Sequence, residues 1–143
     1  MTDITTHYWT ASDGVRLAWR EMGEGRAVIL LHGLFSDAHT NWIKFGHAEK
    51  VAATGCRVIM PYLRAHGLSD KPHDPDKYPR GVLARDCHEL ISQLELAEFD
   101  LGGFSLGART VVQAVGEGMR PRKAILGGMG LEGLSDWPWP RQS

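Results

Sequence analysis

In the stretch "FDLGGFSLGARTVVQAV", Phe99 to Val115, an apolar strand-like run turns directly into a helix-like one. Ser105 stands at the junction, with Gly103 two positions before it and Gly107 two after. A side chain presented at the end of a parallel strand needs a sharp turn into the following helix, and the turning residue is driven into a strained, positive-φ conformation. Glycine two places to either side removes the Cβ atoms that would collide across such a bend. The helix starts near Leu106, so its unpaired N–H groups and positive dipole end face any anion that forms beside the Ser105 hydroxyl. The bare G-x-S-x-G pattern arises readily in a chain with 17 glycines. Its place between an apolar strand and an amphipathic helix is what makes Ser105 a candidate nucleophile, with Gly103 and Gly107 as the elbow.

Working outward, strands and helices alternate. "HYWTASDGVRLAWREMGEG" alternates in polarity around Asp13-Gly14 and reads as two antiparallel strands joined in a hairpin. "AVILLHG" places five consecutive apolar residues before His32, which suits a strand covered on both faces. "NWIKFGHAEKVAATG" carries Trp42, Phe45, Ala48, Val51 and Ala52 at helical spacing and ends at Gly55, so one helix is expected there. "CRVIMPYL" is a strand and "RAHGLSDKPHDPDK" a loop. "RGVLARDCHELISQLELA" is a helix with Val82, Leu83, Leu90, Ile91 and Leu94 on its apolar side, and "RKAILGG" is a sixth strand. The pattern predicts an α/β fold, a mostly parallel sheet flanked by helices on both faces, in one unit over residues 1–130. Residues 131–143 follow neither period. Pro138 and Pro140 exclude a regular helix there, and Trp137 and Trp139 have no evident core to enter.

Composition narrows the function classes. A formal net charge of -1 with 43% hydrophobic and 23% charged residues points away from disorder and from a nucleic-acid partner. No apolar run approaches the ~20 residues that span a bilayer, so no membrane partner is expected. The opening "MTDITTHYWTASDG" has neither a basic segment nor an apolar core after it, which makes the cytoplasm the expected compartment. Cys56 and Cys87 lack metal-ligand spacing and are too few for a disulfide framework, so both are expected as buried thiols. Neither a metal nor a cofactor is expected.

Three segments, in order, resemble the amino-terminal part of the α/β-hydrolase fold family over residues from about 8 to 130. "LLHGLFSD" resembles the family's His-Gly loop after its third strand, "MPYLRAHGLSDKP" its "PDLRGHGRSDKP" signature, and "GFSLGA" its nucleophile elbow. The resemblance implies that Ser105 is the nucleophile of a serine hydrolase acting on a carboxylic ester or related small acyl compound through an acyl-enzyme. It implies an oxyanion hole from the backbone N–H groups of Leu106 and Leu34, with Phe35 the adjacent candidate. A serine at this position disfavours the dehalogenase and epoxide hydrolase branches, which use Asp, and leaves acyl transfer, C–C hydrolysis and perhydrolysis open. The alternative is a ligand-binding or interaction module that kept the fold without turnover.

The family's triad runs Ser, then Asp or Glu, then His. All seven histidines, His7, His32, His39, His47, His66, His73 and His88, precede Ser105. The resemblance makes His32 and His66 loop-shaping residues, and solvated positions account for His39, His47, His73 and His88. Asp86 and Asp100 read as structural; Glu132 and Asp136 follow the last strand, where some relatives place the triad acid. Tyr62 stands where the family signature has Asp, Ala65 where it has Gly, and Phe104 where His is frequent. The family's sheet has eight strands, with a lid after the sixth. The chain therefore reads as truncated after its sixth strand, with 131–143 as the start of the lid or a tail. A fragment of this kind exposes an apolar sheet edge, which implies self-association or a complementary carboxy-terminal chain.

Overall fold

A computed structural model of the chain describes residues 3–33 and 36–127. The hairpin forms as the sequence predicts: β1 (Thr5–Thr10) and β2 (Arg16–Met22) pair antiparallel, with His7 opposite Trp19. Its turn is closed by Gly14 N–H donating to the Ala11 carbonyl at 2.9 Å, with Gly14 at φ 87°. β3 (Arg26–Leu31) lies between β4 (Cys56–Pro61) and β5 (Phe99–Phe104), parallel to both, and the five apolar residues Ala27 to Leu31 are all buried. β6 (Lys123–Gly127) pairs parallel with β5. The six-stranded order is β1-β2-β4-β3-β5-β6, so the sheet is mixed, four parallel strands extended by an antiparallel hairpin.

Two cores cover the two faces. On one, α2 (Val82–Gln93) and α3 (Leu106–Gly116) bury Cys87, Leu90, Val111 and Ala114 against Ile29, Leu31 and Leu101. On the other, α1 (His47–Ala52) packs Ala48 against Val28, Val58 and Met60. The expected thiols, Cys56 and Cys87, are buried and unpaired.

The segment read as one helix from 41 to 55 is two pieces. His39–Ile43 forms a π-helical turn in which Lys44 N–H donates to the His39 carbonyl at 2.8 Å, and Gly46, at φ 79°, breaks the chain before α1 begins. The interruption rotates Phe45 out of the apolar stripe, leaving it 66% exposed. On β6 both faces are open: Ile125 and Leu126, which point to opposite sides of the sheet, are 58% and 43% exposed. The predicted apolar surface at the sixth strand is therefore present. Residues 131–143, read as a lid entrance or tail, lie outside the described residues, as do Glu132, Asp136 and the two late tryptophans.

Candidate active site

Ser105 is the residue between β5 and α3 and has φ 55° and ψ −114°, a conformation that L-residues rarely occupy. Such strain persists only where the surroundings over-determine it. Here the next strand and the helix both hold the residue: Ser105 N–H donates to the Gly127 carbonyl at 2.9 Å, and the Ser105 carbonyl accepts Arg109 N–H at 3.1 Å, the first turn of α3. The two glycines do different work. A Cβ on Gly103 would strike Gly107 and come within 2.6 Å of Ala108 N, a collision across the bend. A Cβ on Gly107 would instead strike the Leu31 carbonyl and approach the His32 carbonyl oxygen to 2.8 Å. Gly107 thus seats the helix on the end of β3, a contact between elements that the bend alone does not show. Leu106 occupies the first position of α3, where an α-helix leaves its N–H groups without intrahelical acceptors.

The chain leaving β3 runs beside this elbow. A Cβ on Gly33 would lie 3.4 Å from Ser105 Cβ and 3.4 Å from the Phe104 ring. Leu34 and Phe35, the candidates for the second oxyanion donor, lie outside the described residues. His32 is fully buried and both of its nitrogens are engaged. Leu63 N–H, which can only donate, reaches Nε2 at 2.9 Å, so Nδ1 carries the proton and donates to the Gly33 carbonyl at 2.8 Å. Burial, with His66 nearby, pulls the imidazole down to about 4. A histidine whose lone pair is taken by a backbone N–H has no free site for a proton from Ser105, so His32 shapes the loop. His66 does likewise, its Nδ1 2.9 Å from the Arg64 carbonyl.

The departures from the family signature have a structural counterpart. Ala65 takes φ 68°, the left-handed region for which a glycine is usual, and the Tyr62 ring fills the space beside Gly67 that a Cβ would enter. The loop is fastened to β2 through Ser69, whose hydroxyl donates to the Tyr62 carbonyl at 2.8 Å and accepts Ala18 N–H at 2.9 Å.

Two residues escaped the sequence reading. Arg64, its side chain wholly buried, donates from Nε and Nη2 to Asp86 at 3.0 and 2.8 Å, and from Nη1 to Asp13 and the Lys77 carbonyl, both at 2.6 Å. One cation thereby joins the hairpin turn, the loop after β4 and α2. Arg64 holds the Asp13 carboxyl down to about 2, first through the hydrogen bond between them. Asp86 is structural, as read, and so is Asp100, which is paired with Arg122 at 3.1 Å and Arg26 at 3.5 Å near the far end of β5. The signal for Arg64 was its place directly after an apolar strand, with a lone Asp on the apolar side of the next helix. The second missed residue is Asn41, which accepts Gly33 N–H at 2.7 Å across a separation of eight residues; no periodicity marks it. Among the described residues no group of His, Cys, Asp and Glu could hold a metal ion, and no helix is long and apolar enough to cross a membrane.

A strained Ser on a strand–helix elbow, in a sheet of this order, defines a class of α/β proteins with a candidate nucleophile above the strand ends. The alpha/beta hydrolase fold family matches residues 26–137, and the chain belongs to it. It is 33% identical over 110 residues to an epoxide hydrolase of Caballeronia sordidicola, covering 75% of this chain and 32% of that protein. Against a non-heme chloroperoxidase of Kitasatospora aureofaciens it is 31% identical over 109 residues, covering 75% of this chain and 37% of that one. Among solved structures it superposes on an esterase from Exiguobacterium antarcticum with a TM-score of 0.75 at 26% identity, over 87% of this chain and 45% of the esterase. The chain spans about a third of the length of these curated relatives. Their names cover several reactions, so membership defines a hydrolase-like family rather than one reaction.

Proposed function

We propose that the chain carries the nucleophile of a serine hydrolase that acts on a carboxylic ester or related small acyl compound through an acyl-enzyme. The observation that carries this reading is the Ser105 backbone, held at φ 55° by two glycine contacts with backbone. In the reaction, Ser105 Oγ attacks the acyl carbonyl and gives up its proton to a base. The carbonyl oxygen, now negative, is assigned by the family resemblance to the N–H groups of Leu106 and Leu34. Collapse expels the alcohol, which takes the proton, and leaves the Ser105 ester; water, activated by the same base, then releases the acid. No histidine follows Ser105 in the sequence, and both nitrogens of His32 are engaged. In the family's order the base follows the nucleophile, so this reading assigns it to a later segment or a complementary chain, with the acid either there or at Glu132 or Asp136.

Hydrolysis of p-nitrophenyl acetate by the purified chain, alone and with a co-expressed carboxy-terminal segment bearing the later acid and histidine, tests this. Without those groups only the residual acceleration of binding and the oxyanion hole remains, about 10³–10⁴-fold over water. The expected result is feeble turnover alone and a large, Ser105-dependent rise with the segment. Full Ser105-dependent turnover by the chain alone would show that an upstream histidine serves as base. Turnover that survives Ser105→Ala would remove the nucleophile assignment.

A further inference from the structure

β1 ends the sheet on the side away from β6, and among the described residues no strand pairs with its outer edge. Its hydrogen-bonding phase is set by its neighbours. Ala11 N–H donates to the Val15 carbonyl at 2.8 Å at the turn of the hairpin, and bonded pairs alternate from there through Trp9 with Leu17 and His7 with Trp19. The carbonyl of Ala18, which stands opposite Tyr8, instead accepts Tyr62 N–H at 2.9 Å on the β4 side. Thr6, Tyr8 and Thr10 therefore turn their N–H and carbonyl groups outward, away from β2. Edges of this kind are commonly blunted by a charge, a proline or a bulge. Thr5–Thr10, TTHYWT, holds no Lys, Arg, Asp, Glu or Pro, and its register with β2 runs unbroken from Thr5 with Glu21 to Thr10 with Arg16. Tyr8 is 45% exposed, its ring lying 4.1 Å from the Arg16 guanidinium.

From this edge we infer that the chain dimerises by antiparallel pairing of β1 with β1 of a second copy, which joins the two sheets across a two-fold axis. Outward groups pair only with outward groups. A two-fold axis at Tyr8 alone matches Thr6, Tyr8 and Thr10 each with an outward residue inside the second strand: Tyr8 faces Tyr8, and Thr6 faces Thr10. Each facing pair exchanges two main-chain bonds, about six in all. The same register sets His7 opposite the second copy's Trp9. Trp19 and His7 of one copy then form a row with Trp9 and Leu17 of the other, and His7 already stacks on Trp19 with ring centroids 4.9 Å apart. On the other face, Arg16 and Thr10 of one copy are in line with Thr6 and Arg20 of the other. The two arginines are three strand spacings apart, about 14 Å, beyond the ~8–10 Å at which salt screens a pair. Within the paired strands no like charges meet, so the edge is complementary to itself, which is the argument for a second copy as its occupant. One six-residue strand makes a seam smaller than the ~1,200–2,000 Å² of a standard interface, and the association is therefore weak and concentration-dependent.

The test is sedimentation velocity over a concentration series, on the full chain carrying Ile125→Lys and Leu126→Lys, which take association through β6 out of the measurement. A monomer–dimer equilibrium is expected to remain in this parent. Thr6→Pro removes an outward N–H without touching the β1–β2 ladder, and Tyr8→Lys sets a like charge against itself across the axis. Each is expected to weaken the dimer by about tenfold or more, with the melting midpoint of the monomer near that of the parent. Tyr8→Lys serves alone should Thr6→Pro fail to fold. Residue-resolved hydrogen exchange on the wild-type chain gives a second reading. The amides of Thr6, Tyr8 and Thr10 should gain protection as concentration rises, while those of His7 and Trp9 are held by β2 throughout. A parent that stays monomeric up to millimolar concentration, or a dimer that neither substitution weakens, overturns the inference. Protection of Thr6, Tyr8 and Thr10 in a sedimenting monomer overturns it as well, and would show that the chain itself covers the edge.

Discussion

β5 borders two regions that obey different rules. Toward β3, backbone meets backbone: Gly103 pairs with Leu31, Gly107 presses on the Leu31 carbonyl, and His32 closes the corner through Leu63 and Gly33. Toward the other side lies β6, where Gly103 pairs with Leu126 and the neighbouring side chains stand open on both faces. Both regions are apolar, but only the first is crowded. An apolar residue constrains a fold when atoms surround it, and β6 lacks those atoms among the described residues. The strained Ser105 spans the two, since α3 begins at the crowded side and its N–H bonds to Gly127 at the open one. The difference predicts where substitutions will be felt.

The largest effect should come from the crowded side. Gly107→Val forces a branched side chain into backbone atoms that cannot swing away, and we expect destabilisation of about 3 kcal/mol or more, or no folding at all. Urea denaturation measures it; a midpoint equal to wild type would mean that α3 is not seated on β3 as described. Next comes acid sensitivity of the same corner. His32 is held near 4 when folded against about 6.5 when free, so the unfolded chain takes up its proton first as pH falls. The stability it contributes is fully present above pH 6.5 and is lost between 6.5 and 4, by up to about 3 kcal/mol at ~1.4 per pH unit. His32→Gln, which does not titrate, should lack that slope. Parallel pH-stability curves for the two proteins would contradict it.

On the open side the expected effect is small. Ile125→Lys and Leu126→Lys remove exposed apolar surface without disturbing a packed neighbour, so stability should stay within about 0.5 kcal/mol. Sedimentation should show wild type self-associating through this edge and the double variant shifted toward monomer. A loss of several kcal/mol would show that β6 is buried in solution by something beyond the described residues.

The same contrast explains what could be read from the residues. Signals that are local in the chain came through: the Asp13-Gly14 turn, the buried run Ala27 to Leu31, and the apolar-to-helical switch at Ser105. The exposure of β6 followed from counting strands against the family resemblance. What did not come through depends on distant partners. Gly46 interrupts a stripe whose spacing would otherwise continue through it, and the left-handed turn there is set by where α1 must pack. Gly107 was legible as a small residue, but its partner is the end of β3. Arg64 meets Asp13 and Asp86, which are 51 and 22 residues away, and Asn41 meets Gly33 only because the loop after β3 folds back. Side chains that fasten a loop carry no period.

The central claim is that Ser105 is the nucleophile, and the most direct measurement is peptide mapping of the chain, co-expressed with a carboxy-terminal segment bearing the acid and histidine, after exhaustive reaction with a fluorophosphonate. The account predicts one adduct, on Ser105, and none on the Ser105→Ala variant. An adduct on another serine that persists in Ser105→Ala, or an assembly that hydrolyses p-nitrophenyl acetate while Ser105 stays unmodified, would contradict it.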